Sequence, residues 1–136
     1  MMAVVAAYLV ALALGGMAFF SFVVAPVAFA RLPKAEAGAF IRAMFKVYYP
    51  LMAGLAGLAA AAAWRFWPSL ILAVVAGLFA WLTLDLMPRM NRLRDAEIAG
   101  DAAAGHSFER LHRESVIINF VQLAALAVVF WGFVAP

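Results

Sequence analysis

Four polar side chains late in the chain, His112, Ser115, Asn119 and Gln122, recur at intervals of three and four residues and so share one face of a helix. By helical rise, Asn119 stands ~10 Å and Gln122 ~15 Å beyond His112. A second group precedes them: Asp85 four before Arg89, with Pro88 between, followed by Asn91 and Arg92. The apolar residues around both groups read as membrane, where amide and ionisable side chains are expensive and mark function by default. Facing helices of a bundle build sites from such groups. The eight residues are therefore expected to form one ligand-binding pocket for a small solute, an ion or a lipid headgroup. The competing reading is structural: Asp85 pairs with Arg89 or Arg92, while Asn119 and Gln122 tie helices together, each bond being worth ~0.6 kcal/mol on average.

Other chemistries find less support. Met87 and Met90 with His112 offer a thin donor set for copper, since thioethers favour Cu(I). His112 alone offers an axial position for haem. No cofactor is expected from the residues themselves, and a haem- or copper-linked redox protein is the alternative. His106 reads as a solvated loop residue. With no cysteine there is neither thiol catalysis nor a thiolate metal site. No phosphate-binding glycine loop, no nucleophile beside a base and no close pair of carboxylates is visible, so an enzyme is not the leading reading.

The elements that must position these residues follow from composition. Of 136 residues 69% are hydrophobic and 12% charged, against ~45–50% and ~25% for a soluble domain. A chain this short cannot hide so much apolar surface in its own interior, so lipid is its solvent. Four runs are long enough for a ~30 Å hydrocarbon core: about 3–30, 47–66, 69–88 and 115–134. They lack the alternation of barrel strands, so helices must pair the backbone internally. The expected fold is an all-α, antiparallel four-helix membrane bundle, a single domain over 1–136. The first run has no basic residue at its start and exceeds a signal peptide's apolar core, so it is expected to stay as a span. No polar tail or soluble domain is expected at either end.

Nine of the ten basic residues fall in two loops, with Arg31, Lys34, Arg42 and Lys46 in one and Arg89, Arg92, Arg94, Arg110 and Arg113 in the other. Clustering at the ends of apolar runs is the signature of topology rather than of nucleic acid, which is not an expected partner. The positive-inside rule puts loops 31–50 and 89–114 in the cytoplasm and both termini outside. A bacterial cytoplasmic membrane is the expected setting, with Trp64 and Trp67 in the opposite aromatic belt. Phe40, Ile41, Met44, Phe45 and Tyr48 against Arg42 and Lys46 predict a short amphipathic interfacial helix turning into the second span at Pro50. The third helix is expected to run past Pro88 to about Ala96, and the last to begin after a Ser107 cap. Ala53, Gly57 and Ala61, and likewise Ala73 and Gly77, predict close helix contacts. No internal repeat is visible.

Several patches taken in order look familiar: Gly16–Phe20 with Ala25, Pro26 and Phe29, then Leu32, Pro33, Ala37 and Gly38; Phe45 with Tyr48 and Tyr49; Pro88, Asn91, Leu93 and Arg94; and Phe108, Leu111, His112, Ser115, Asn119 and Gln122. Across nearly the full length the chain resembles the small membrane family of domain of unknown function 4149, which also takes in eukaryotic transmembrane protein 205. Lys46-Val47 departs from the proline expected there before the tyrosines. The resemblance implies a four-helix membrane fold and little about activity. It extends distantly to copper resistance protein D and to a haem-dependent bacterial protoporphyrinogen oxidase. The oxidase's histidine in the first span and lysine in the third have no counterpart here.

The functional expectation is thus a multi-pass membrane protein that binds, or helps move, a small solute, ion or headgroup at the cytoplasmic side. The second alternative to it is a structural subunit whose polar stripe is a homo-oligomer interface.

Overall fold

The computed structural model describes residues 1–65 and 67–135. The expected end of the second span at residue 66 and the chain end at 136 lie outside them. Among the described residues there are four helical rods long and apolar enough to cross a membrane: Met2–Arg31, Lys34–Ala62, Pro68–Ile98 and Ala102–Val134. Among the described residues there is no strand. Consecutive rods are joined by tight turns and are antiparallel, and each packs on two others, so that the four close into a ring. The first rod is α1 (Met2–Phe19), a π-helical turn (Phe20–Val24) and α2 (Ala25–Arg31). The second is α3 (Lys34–Ala62). The third is α4 (Pro68–Trp81), a second π turn (Leu82–Leu86) and α5 (Met87–Ile98), and the fourth is α6 (Ala102–Val134).

Local chemistry explains the breaks. Leu32 takes the extended conformation that a following proline imposes, and Pro33 then opens α3. At the other basic turn, Gly100 adopts φ +107°, a left-handed position that ends α5, since glycine alone enters it without strain. Asp101, rather than Ser107, caps α6: its carboxylate accepts from the Ala103 and Ala104 N–H groups at 3.0 and 3.1 Å. The helix therefore starts six residues earlier than the serine predicts. The fourth rod leaves room beside it for α5, because a Cβ on Gly105 would meet Glu97 at 3.0 Å. The amphipathic stretch before Pro50 is helical as expected, yet it does not turn there. It continues into the span within one 29-residue helix, with Pro50 costing the Lys46 carbonyl its usual helical donor.

The first and third rods are copies of one another in packing. Their buried residues Ala6, Val10, Ala13, Met17, Phe20 and Ala28 correspond, at a constant shift of 62, to Pro68, Leu72, Val75, Phe79, Leu82 and Met90. Both π turns span five residues and both end two before a proline, Pro26 or Pro88. The reason is geometric. Eight residues separate Phe20 from Ala28, and in a regular helix that interval would swing Ala28 ~80° off the inner face. One wider turn absorbs the surplus residue and also relieves the clash of the proline ring with the preceding turn. The second and fourth rods match less tightly, at a shift of 67: Ala37, Tyr48, Ala59 and Ala62 against Ala104, Ser115, Leu126 and Val129, all buried. The burial pattern thus pairs the first two rods with the last two, although no repeat is evident on reading the sequence.

Candidate functional site

At the basic end a recess of about 220 Å³ opens between α3 and the third rod. Arg42, Phe45 and Lys46 form one wall; Thr83, Met87, Pro88 and Asn91 form the other. The two walls are held together by an ion pair between Arg42 and Asp95 at 2.9 Å. Lys46 makes no ion pair among the described residues, so its ammonium is the uncommitted charge of the recess. Thr83 sits on the π turn and donates to the Phe79 carbonyl at 2.8 Å, which leaves its hydroxyl oxygen free to accept. Behind the recess lies an aromatic core. Phe45 stacks on Tyr49 at 4.6 Å, Tyr48 on Phe20 at 4.5 Å, and Phe79 closes against both tyrosines. Stiff packing of this kind fixes the α3 wall in place.

Of the eight residues expected to converge, Asn91 alone lines this recess; the others disperse. Asp85 pairs with Arg89 at 3.2 Å on an open flank, with nearly half of each side chain exposed. Arg92 is exposed. Asn119 turns toward the first rod and donates to the Ser21 hydroxyl at 2.9 Å. Gln122 turns toward the third rod and donates to the Val75 carbonyl at 3.3 Å. Val75 is seven residues in from Pro68, so Gln122 lies ~15 Å along the bundle from Asp85. It stands nearer mid-membrane than the basic end. Ser115 is buried and satisfied by the His112 carbonyl at 2.7 Å.

His112 stands on the part of α6 that precedes the apolar run and faces outward. Its ring lies flat against Phe108 at 5.9 Å, and the Arg94 guanidinium covers the same phenyl ring at 5.1 Å. Partial burial first, and then the charge of Arg94, lower its pKa below the ordinary histidine value. Met87 borders the recess and Met90 is buried in the core. Among the described residues no three His, Cys, Asp or Glu side chains come together as a metal site would require.

Sequence reasoning passed over Arg42, Lys46 and Thr83 as site residues. Arg42 and Lys46 read as the polar face of an interfacial helix, and only the approach of the third rod turns that face into a wall. The available signal was Lys46 beside Phe45 and Tyr48–Tyr49, a cation set next to a dense aromatic run. The small-residue stripe of the second rod behaves as expected at Gly57, which approaches Ala76. Ala73 and Gly77 instead face outward.

No curated protein and no solved structure matches the chain significantly. Among protein families, the one described as Domain of unknown function (DUF4149) matches residues 8–99, which takes in most of the first rod and the whole of the second and third with the Arg42–Asn91 recess, and leaves out α6. On that match, which spans more than half its length, the chain belongs to the DUF4149 family.

Proposed function

We propose that this is a multi-pass protein of a bacterial cytoplasmic membrane that holds an anionic solute or lipid headgroup in the recess between α3 and the third rod, at the cytoplasmic surface. The observation that carries the reading is the unpaired Lys46 ammonium beside Arg42, Thr83 and Asn91 around a space of headgroup size. Two cationic groups and an amide supply donors to a phosphate or carboxylate from several directions, while the Thr83 hydroxyl, already donating to Phe79, can only accept. Among the described residues, none that lines the recess carries a carboxylate. The bias of nine basic residues in ten toward this end supports a cytoplasmic location, where anionic lipids attract basic segments.

Retention of phosphatidylglycerol against phosphatidylcholine by protein released from mixed nanodiscs, read by native mass spectrometry, tests the reading. Lys46→Ala and Asn91→Ala are each expected to lower retention about fivefold to tenfold, the worth of one charge-assisted or neutral hydrogen bond at a half-open site. Lys34→Ala, exposed on the turn, should leave it unchanged. Competition by soluble glycerol phosphate separates a solute site from a headgroup site. Equal retention by wild type and Lys46→Ala would remove the recess from consideration.

A further inference from the structure

The ion pair between Arg42 and Asp95 differs in kind from the other two at the basic end. Asp85–Arg89 and Arg94–Glu97 join residues four and three apart on the third rod, whereas Arg42 and Asp95 are 53 apart in sequence and link two rods. Helix geometry fixes the place of that link. Arg42 and Lys46 are four apart on α3, and Asn91 and Asp95 are four apart on α5, so each pair shares a face. Because the rods are antiparallel, the meeting of Arg42 with Asp95 sets Lys46 level with Asn91, one turn deeper. The ion pair thus closes the rim of the recess on the side of the helix ends.

Asp95 offsets charge at the recess and leaves its donors. It engages one guanidinium nitrogen of Arg42 at 2.9 Å, and the rest of the planar fork can still donate. Solvent reaches both partners, so the pair is loose enough for Arg42 to be shared with a bound anion. Arg42 with Asp95 sums to zero, as do Asp85 with Arg89 and Arg94 with Glu97. Arg92 is exposed and stands ~100° round the helix from Asn91. The charge left over in the lining is the single ammonium of Lys46. At the seam that the burial pattern matches to this one, between the first rod and α6, Phe29 and Pro33 stand in the places of Asn91 and Asp95. The frame therefore does not require a carboxylate at this position.

We infer that Asp95 sets the charge the recess accepts: a phosphodiester, with one negative charge, in preference to a phosphomonoester, with close to two. The inference rests on the recess being an anion site. A diester is matched by Lys46 and takes hydrogen bonds from Arg42 and Asn91. A monoester brings a second negative charge up to Asp95, where one uncompensated cation has to serve both, and the repulsion discriminates against it.

Phosphatidylcholine nanodiscs holding equal amounts of phosphatidylglycerol, a diester, and phosphatidate, a monoester, test this at about pH 8, where the monoester is dianionic. Native mass spectrometry of the released protein reads the ratio of the two anionic lipids retained. The wild type is expected to favour phosphatidylglycerol about threefold to fivefold, the upper part of what an exposed charge pair contributes. Asp95→Asn should bring the ratio to about one by raising phosphatidate. Arg42→Gln breaks the same link between rods but keeps the carboxylate, and should raise the ratio above that of the wild type. Loosening of the rods alone would move both variants the same way. If the occupant is a free diester, glycerophosphoglycerol should compete better than glycerol phosphate by the same factor; if it is a lipid, neither competes. Better competition by glycerol phosphate would overturn the inference. So would a wild-type ratio of one or less, or equal shifts in the two variants, while Lys46→Ala still lowered both lipids. An unchanged level of both lipids in Lys46→Ala would instead strike the recess itself, and the inference with it.

Discussion

The two halves of the chain build the same frame and fill it differently. In the first, α3 presents Ala56, Ala59, Ala60 and Ala62 to its neighbours, all nearly or fully buried. Its contacts with α4 and with α1, the latter the counterpart of the α6–α4 contact, are the two most extensive in the bundle. In the second, the matching rod carries Gln122, Leu126 and Val129, and its contact with α4 is thin. The difference reflects what holds helices together in lipid. Acyl chains are as apolar as leucine, so burial adds little there and close packing of small side chains supplies the attraction. Where alanines line the seam the backbones approach; where bulk and an amide replace them, a cleft opens. Polar contacts divide in the same way. Asn119 reaches across to Ser21, whereas its counterpart Met52 has no such bond and Thr83 turns back onto its own helix.

This comparison is open to attack at three levels. The largest effect is expected from adding a further residue to a π turn, by inserting an alanine after Phe22 or after Leu84. Each turn already absorbs one surplus residue, so either insertion rotates one part of the rod by ~100° against the other and throws the inner face out of register. Each should cost more than about 3 kcal/mol, the size of a large core truncation, in reversible unfolding from detergent micelles. If one insertion is tolerated and the other is not, the two π turns do not play equivalent parts.

The next effect comes from exchanging counterparts. Leu126→Ala copies Ala59 into the second half, and Ala59→Leu does the reverse; both sites are fully buried. The first is expected to cost about 2 kcal/mol, the low end for a leucine truncation, because the unfolded helices in lipid already keep leucine from water. The second is expected to cost about 1–3 kcal/mol through overpacking of the alanine seam. Equal tolerance of both in the same unfolding assay would show that the seams do not differ in tightness.

The smallest effect belongs to Asn119→Met, which copies Met52. Loss of the Ser21 bond should cost about 0.6 kcal/mol. The double variant with Ser21→Ala should cost no more than the larger single change, because the two groups share one interaction. Additive losses would mean that Asn119 has another partner.

Much of the fold was legible in advance, for a reason specific to membranes. Long apolar runs cannot remain in water, and backbone groups in lipid leave helix as their local solution. Composition alone therefore fixed four spans, while the bias of the charged loops marked the basic end. The proline after each π turn was equally visible, and so was Ala11, Gly15 and Ala18 against Ala73, Gly77 and Ala80 at the same shift of 62. These matches are small residues in a chain full of them, and the repeat became evident only when the buried positions lined up.

What the tertiary structure decided was the destination of each polar side chain. Periodicity placed His112, Ser115, Asn119 and Gln122 along one rod, but a helix in a ring has neighbours on two sides and an outer surface. A few tens of degrees separate one from another, and regular spacing does not resolve them. Asn119 and Gln122, three residues apart, consequently bond to different rods. The Arg42–Asn91 recess is likewise a product of packing, since it is bounded by side chains from rods that only the fold brings side by side.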